Sequence, residues 1–337
     1  MVTFTGLGSL PGTDMGAALR MTFDQVAALP YLPELPARGP WAGMIGRATG
    51  ILAGLSADYA AGEWRLAATS GMDQRRARAT WRDDLEQLEE AAEGYSGPLR
   101  LSVAGPWTLA ASLFRPLGGR VLADRSARVD LAQSLAEGLH QLIEDLTRRL
   151  PGAALTLQID EPALPAVLVG GIPTEGGFFR HRSVDRADAV ASLDLLCDLG
   201  VPSVLHCCAP LGALSLRTGS LHVTRDDDRE SATPGLAGLS LDQDLITDWD
   251  GLGEAVEQGL TLYLGCLPTS AGQVLGADAL TRRVLAAVRP LELGPAMADR
   301  LVLTPACGLA GYSPRAVTSV FSVLARVAER VDSELRS

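Results

Sequence analysis

One short segment of the sequence, residues 206–208 (HCC), places an imidazole and two thiols directly after an apolar stretch. In an extended strand, residues two apart face the same side, so His206 and Cys208 can point toward one ligand. Cys307, after another apolar stretch, offers a second thiolate, and Asp242 offers a carboxylate. These donors make a tetrahedral zinc set, because sulfur ligands favour zinc over magnesium or calcium. The alternative is that the cysteines are small buried apolar residues, as free cysteines commonly are.

Two adjacent carboxylates, Asp160 and Glu161, follow the apolar stretch 155–159. Burying them costs free energy unless a cation or a hydrogen-bond donor meets them. They therefore predict a salt bridge to an arginine, binding of a substrate ammonium, or acid–base catalysis, with Asp160 as the candidate catalytic residue. Gly8 and Ser9 form either a simple turn or a site where N–H groups and a hydroxyl bind an anion such as a carboxylate. We accordingly assign Gly8, Ser9, Asp160 and Glu161 as candidate substrate-binding residues.

Apolar runs that stop at polar or small residues recur along the chain and predict β-strands. Seven runs are clear: residues 2–7, 99–104, 155–159, 203–205, 239–241, 260–264 and 301–303. An eighth, weaker run lies near residues 41–45. Amphipathic stretches with helical spacing cover residues 124–150, 186–199, 278–288 and 314–335.

Strands alternating with helices predict parallel βα units, and eight such units predict an α/β protein of the (β/α)8 TIM-barrel type. We expect one domain over residues 1–337, with residues 224–235 as an exposed charged loop. A doubly wound open sheet is the alternative, although the sequence lacks its GxGxxG turn. In a barrel the active site forms at the C-terminal ends of the strands, where the candidate residues lie.

The composition excludes several classes of function. The chain has 337 residues, 47% of them hydrophobic and 20% charged, with a formal net charge of −11. Such an acidic chain lacks the basic face that nucleic-acid binding requires, and no apolar run reaches the roughly 20 residues of a membrane span. The absence of lysine excludes Schiff-base chemistry and a Walker-type phosphate loop. Five cysteines without a secretory signal predict reduced thiols in the cytoplasm.

Several motifs resemble those of one enzyme family. Residues 157–165 (LQIDEPALP) resemble the Q-[IV]-D-E-P-A-L segment of the cobalamin-independent methionine synthases. Residues 8–11 (GSLP) are similar to that family's G-S-F-P turn, 206–208 to its H-x-C zinc pair and 307–309 (CGL) to its C-G-L segment. The motifs appear in the family's order over nearly the whole chain. They match the catalytic C-terminal barrel of the two tandem barrels in the full-length enzyme.

The resemblance implies a (β/α)8 barrel that uses zinc to hold homocysteine as a thiolate, which then attacks a methyl group to give methionine. Zinc lowers the pKa of a bound thiol and keeps its sulfur nucleophilic. By the same resemblance, Asp160 binds the substrate ammonium, and Gly8 and Ser9 bind its carboxylate. The zinc ligands carried over to this chain are His206, Cys208, Asp242 and Cys307.

The chain departs from the family pattern at several points. Asp242 stands where the family has a glutamate ligand, and residues 44–46 (MIG) replace the family's M-V-E stretch and its carboxylate. Residues 265–269 (GCLPT) lack the family's histidine, which is thought to protonate the folate leaving group. This pattern resembles the short core methionine synthases, whose donor is a methylcorrinoid protein. A cob(I)alamin leaving group needs no proton, so loss of the histidine is chemically coherent.

Two other functions stay open at this stage. Uroporphyrinogen decarboxylases share the barrel and need no metal, since they bind a polycarboxylate with arginines. A metal-free, non-catalytic barrel that binds a corrinoid protein or a small thiol is the other alternative. Zinc content separates the methyltransferase hypothesis from both.

Overall fold

Seven parallel strands form one curled sheet in the computed structural model, which describes residues 1–210, 235–269 and 275–337. The strands run, in chain order, β1 (Thr3–Phe4), β2 (Ser56–Ala60), β3 (Glu63–Ala67), β4 (Gly97–Ala104), β5 (Ala153–Asp160), β6 (Ser203–Cys207), β7 (Gly238–Asp242), β8 (Thr261–Leu267) and β9 (Leu301–Pro305). The sheet order is β1-β9-β8-β7-β6-β5-β4, and β2 and β3 form a separate antiparallel hairpin.

Helices alternate with the strands and cover the sheet. The α-helices of the described residues are α1 (Met15–Gln25), α2 (Met44–Ile51), α3 (Met72–Ala91), α4 (Pro106–Ser112), α5 (Arg125–Arg149), α6 (Leu164–Leu168), α7 (Arg186–Cys197), α8 (Trp249–Glu257), α9 (Ala277–Val288), α10 (Gly294–Arg300) and α11 (Pro314–Arg336). This is the α/β architecture that the alternating pattern predicts. Within the described ranges, no helix combines the length and apolar character that a membrane span requires.

The seven clear apolar runs all become strands of the parallel sheet, and the four amphipathic stretches become α5, α7, α9 and α11. Local signals set the helix starts. The Asp124 side chain accepts hydrogen bonds from the first backbone N–H groups of α5, and the Ser313 hydroxyl does the same for α11. The predicted loop over residues 224–235 lies, except for its last residue, outside the described residues.

The eighth strand predicted near residues 41–45 is wrong. A 3-10 helix (Pro40–Ala42) and the start of α2 occupy that stretch. Tyr31 instead forms a parallel bridge to Arg100 on β4, and Glu34 forms one to Ser9, just after β1. Prolines at positions 30, 33 and 36 hide this extended segment from pattern analysis, because proline lacks a backbone donor and is depleted in strands.

Strand β4 shows why the inside of the curled sheet is polar. Leu99, Leu101 and Val103 belong to the main hydrophobic core. The intervening Arg100 and Ser102 are also buried. Because side chains alternate between the faces of a strand, one set packs on the helices and the other lies inside the sheet. The inner face of the sheet therefore carries groups that can bind a ligand.

Candidate metal centre and substrate pocket

His206 lies on β6 between Asp160 on β5 and Ser240 on β7. It is buried, and its Nδ1 atom lies 2.9 Å from the Ser240 hydroxyl oxygen. Burial, together with the charge of Arg100, lowers the pKa of His206 to about 4. The imidazole is therefore neutral at pH 7. Because Nδ1 is engaged by Ser240, Nε2 is the ring nitrogen that would meet a metal ion.

The sulfur atoms of Cys208 and Cys307 lie 3.9 Å apart. Cys208 follows β6 and Cys307 follows β9, two strands that are separated in the sheet by β7 and β8. The hydrogen bond between the two thiols lowers the pKa of Cys307 to about 6 and raises the pKa of Cys208. Cys207 is buried, and its thiol donates to the Ala209 carbonyl at 3.5 Å. Of the adjacent cysteines, Cys208 is therefore the one that meets Cys307.

Asp242 ends β7 at the same end of the sheet. One of its oxygens accepts a hydrogen bond from the backbone N–H of Asp244 at 3.0 Å, which caps a short 3-10 helix (Gln243–Leu245). Burial raises the pKa of Asp242, and its charge in turn raises the pKa of Cys307. The carboxylate is thus close enough to the thiol pair to act on it.

The donor types and the sulfur spacing fit zinc. Zinc–sulfur bonds of about 2.3 Å in a tetrahedral site place two sulfurs about 3.8 Å apart, close to the observed 3.9 Å. Across residues 1–210, 235–269 and 275–337, however, no three His, Cys, Asp or Glu side chains stand close enough to hold one metal ion. The structure brings Cys208 and Cys307 together and leaves His206 and Asp242 outside that group.

Asp160 ends β5 beside His206 and is 6% exposed. Its carboxylate accepts a hydrogen bond of 2.7 Å from the Gln158 side chain. Burial raises the pKa of Asp160 well above its ordinary value, and the charge of Glu34 raises it further. Gln158 and Arg100 oppose that shift only in part. A cationic group placed here would favour the ionised carboxylate, as the sequence interpretation of Asp160 requires.

Glu34 is a site residue that sequence reasoning missed. It is 5% exposed, and within the described part of the chain its Oε1 atom has no hydrogen-bond partner. Burial raises its pKa, and the nearby Arg47 guanidinium, with Nε 3.8 Å from Oε1, lowers it. Because the charge of Glu34 acts on Asp160, the two carboxylates lie near one another. The prolines that keep pattern analysis from recognising this extended segment also keep it from identifying Glu34 as a site residue.

A chain of buried charges holds Arg47 in place. Its guanidinium donates to Asp84 at 2.8 Å and lies 3.9 Å over the Trp81 ring. Arg38 donates twice to the same Asp84 carboxylate, at 2.7 and 2.8 Å. Arg47 belongs to α2, where the family resemblance left the chain without a carboxylate. In this chain α2 instead supplies a cation that lies beside the Glu34 carboxylate.

Ser9 contacts two other segments of the site. Its backbone bridges Glu34, and its carbonyl accepts a hydrogen bond of 2.9 Å from the Leu309 N–H group. A Cβ atom at Gly308 would lie 2.0 Å from the Ser9 hydroxyl oxygen, so only glycine permits this approach. Gly8 has a φ of 115°, a conformation that favours glycine. Two of the four motifs that carry the resemblance, residues 8–11 and 307–309, therefore meet at Ser9, next to Cys307.

Glu161 is fully buried and has a different set of partners. Its carboxylate accepts hydrogen bonds from the Trp107 and Thr108 backbone N–H groups, at 2.8 and 2.7 Å, and from the Thr108 hydroxyl at 2.7 Å. These donors belong to the first turn of α4, so Glu161 caps that helix. Burial raises its pKa to about 7. The structure therefore gives Glu161 a structural position, and Asp160 is the member of the pair that lies beside His206.

The comparison with solved structures identifies the fold. The chain is similar to a B12-independent methionine synthase from Shewanella sp. W3-18-1, solved in complex with selenomethionine, with a TM-score of 0.62 and 15% identity over 99% of each chain. A D-psicose 3-epimerase from Clostridium cellulolyticum H10 also matches, with 10% identity over 100% of each chain, but its TM-score of 0.35 supports no argument. No protein-family model and no curated protein matches the sequence. The chain thus shares the fold of a methionine synthase, as the motif resemblance implied.

Proposed function

We propose that this protein transfers a methyl group to the thiol of homocysteine and so forms methionine. The observation that carries the proposal is the 3.9 Å separation of the Cys208 and Cys307 sulfurs at the end of the sheet where Asp160 and Ser9 also lie. The fold shared with a B12-independent methionine synthase supports it. A thiol-binding group beside a carboxylate and a hydroxyl matches the three functional groups of homocysteine.

The residues that would hold the zinc ion are those predicted from sequence: His206 through Nε2, Asp242, and the thiolates of Cys208 and Cys307. When bound there, zinc lowers the pKa of the substrate thiol so that the thiolate is the species present at pH 7. Ser240 fixes the ring orientation of His206, and burial keeps that imidazole neutral. These contacts would hold His206 in the orientation and the neutral state that a zinc ligand needs.

A second group of residues, separate from the proposed zinc ligands, holds the amino-acid end of the substrate. Asp160 and Glu34 bind the ammonium, because two nearby buried carboxylates favour a cation between them. Gly8 and Ser9 bind the carboxylate, with the Ser9 hydroxyl as donor. Residues 44–46 lack the carboxylate of the family's M-V-E stretch. In this proposal Glu34 supplies a second carboxylate for the ammonium in its place, so the substrate is an amino-acid thiol.

The methyl donor in this proposal is a methylcorrinoid carried by a partner protein. The thiolate sulfur forms a bond to the methyl carbon while the cobalt–carbon bond breaks, and its electron pair stays on the corrinoid. The leaving group then needs no proton. At the end of β8 the chain has Cys266, fully buried with its thiol directed at the Thr304 carbonyl, instead of an acidic imidazole. The donor proposal fits that arrangement.

Two further features belong to the proposal. Residues 31–34 join the two edges of the sheet, because Tyr31 bridges Arg100 on β4 and Glu34 bridges Ser9 after β1. We propose that this segment completes a (β/α)8 barrel as an eighth strand. All five cysteines are free thiols, which fits a cytoplasmic location.

The test is a methyl-transfer assay with homocysteine and methylcobalamin after zinc reconstitution under reducing conditions. We expect methionine from the wild-type protein and background levels from Cys208→Ser, with Cys207→Ser as the matched control. No methionine above the zinc-free background would overturn the proposal. A parallel assay for porphyrinogen decarboxylation tests the metal-free alternative.

A further inference from the structure

Cys208 and Cys307 are placed to react with each other as well as with a metal. Their sulfurs are separated by 3.9 Å, near van der Waals contact. A disulfide bond is about 2.05 Å long, so closure needs an approach of about 2 Å by two side chains at the ends of strands. Cys307 is exposed and Cys208 is half-buried, so an oxidant in solvent can reach the pair.

The other three thiols of the chain are protected. Cys197, Cys207 and Cys266 are at most 4% exposed, and each belongs to the hydrophobic core. Although Cys207 is adjacent to Cys208 in sequence, its thiol is directed at the Ala209 carbonyl. Because thiol oxidation follows access to solvent, the oxidant selects the Cys208–Cys307 pair among five cysteines.

We propose that Cys208 and Cys307 are an oxidisable dithiol, which a soluble disulfide such as oxidised glutathione converts to an intramolecular disulfide. The exposed Cys307 thiolate attacks one sulfur of the oxidant and releases one glutathione thiolate. The Cys208 thiolate then attacks the Cys307 sulfur of the mixed disulfide and releases the second glutathione. Two electrons pass to the oxidant, and the two thiol protons pass to the released glutathione or to solvent. The disulfide joins the ends of β6 and β9 across β7 and β8.

This dithiol chemistry goes beyond the proposed methyl transfer and does not depend on it. The two are linked by competition, because a sulfur in a disulfide is no longer a thiolate ligand. Oxidation therefore removes two of the four proposed zinc ligands, and zinc bound to both thiolates protects them from the oxidant. The oxidised and metal-bound forms exclude one another.

The test uses the full chain, reduced and freed of metal with a chelator, and equilibrated with glutathione at increasing ratios of disulfide to thiol. Samples are quenched in acid, alkylated after unfolding and analysed by intact mass and peptide mapping. We expect the number of alkylated thiols to fall by two from five, with a crosslink between the peptides that contain Cys208 and Cys307. The melting temperature should rise, since the crosslink closes a long loop.

Matched variants identify the pair. Cys207→Ser should keep the crosslink, whereas Cys208→Ser should give a mixed disulfide with glutathione at Cys307. Five alkylated thiols in fully oxidising buffer, or a crosslink through Cys207, would overturn the proposal even if a variant misfolds, because the wild-type map needs no variant. An arm with zinc added first separates the two proposals. If added zinc does not slow crosslinking, the result counts against the metal site, and the dithiol proposal still stands.

Discussion

The Nδ1 atom of His206 and the hydroxyl oxygen of Ser240 lie 2.9 Å apart on neighbouring strands, at positions that are direct register partners. Ser240, the residue that orients the proposed ligand His206, thus lies on β7, the strand that also ends in Asp242. One strand therefore positions two of the four proposed donors, one directly and one through a hydrogen bond.

Replacing Ser240 with alanine should weaken zinc binding without removing a ligand. Loss of an outer-shell partner typically lowers metal affinity by roughly 10- to 100-fold, because the ligand ring is no longer fixed. Competition with a chromophoric chelator measures the affinity. Ser203→Ala is the control, since Ser203 is buried on β6 and donates to the Leu196 carbonyl. Equal affinity in both variants would argue against His206 as a ligand.

Replacing Glu34 with glutamine should raise the KM for homocysteine. The substitution removes an ion pair between a carboxylate and the substrate ammonium. Loss of a charged hydrogen bond of this kind should raise the KM by roughly 10- to 100-fold. Zinc content should stay unchanged. A thiol of the same length without the amino group serves as the control substrate. If Glu34→Gln weakens both thiols equally, Glu34 does not bind the ammonium.

Replacing Gly308 with alanine should also raise the KM for homocysteine while zinc stays bound. The new Cβ would lie 2.0 Å from the Ser9 hydroxyl oxygen, so Ser9 must move. A displacement of about 1 Å at a positioning group costs on the order of 100-fold in efficiency. Gly311→Ala is the matched control, because a Cβ there meets nothing within 4 Å. A normal KM in Gly308→Ala would remove Ser9 from the substrate contacts.

The contribution of Glu161 to the stability of the protein should fall as pH rises from about 4.5 to about 7. Burial raises the pKa of Glu161 from 4.5 to about 7, so the folded state retains a proton that the unfolded state has released. The stabilisation is complete below about pH 4.5 and is lost as pH rises toward 7, by on the order of 3 kcal/mol. The raised pKa values of Asp160 and Glu34 act in the same direction, and the lowered pKa of His206, about 4, acts in the opposite direction. Urea unfolding across this range measures the slope.

Glu161→Gln is the variant that assigns this slope. Its amide N–H2 group meets donors at the first turn of α4, which costs about 1–3 kcal/mol at every pH, and the residue no longer titrates. The variant should therefore be less stable than the wild-type protein at low pH, and this difference in the free energy of unfolding should shrink as pH rises from about 4.5 to about 7. An unchanged slope would assign the effect to other buried carboxylates.

Pattern analysis located every strand of the parallel sheet because each contains a short stretch rich in apolar residues that stops at polar or small residues. It also placed Asp160, His206 and Asp242 at strand ends, since that position follows from where each run stops. The segment around Glu34 was not predicted as a strand because its prolines interrupt the apolar run. Its position follows from bridges to Ser9 and Arg100, which are distant in sequence.

The difference between Asp160 and Glu161 likewise depends on tertiary structure. Adjacent carboxylates are equivalent in sequence, but Glu161 meets the first turn of α4 and Asp160 meets the interior of the sheet. The strand-end positions allowed Cys208 and Cys307 to share one metal ion, and the motif resemblance favoured that assignment over buried apolar cysteines. The hairpin of β2 and β3 was missed, because its short strands carry charged residues and little alternation.

The most direct test of the account is the zinc content of the purified protein, measured by elemental analysis after reconstitution under reducing conditions. We predict about one zinc ion per chain, absent from His206→Ala and Cys208→Ser and retained in Cys207→Ser. Less than a tenth of this in the wild-type protein, with all five thiols reduced, would contradict the account. The paired sulfurs would then be a dithiol only, and the function would have to be sought among metal-free barrels.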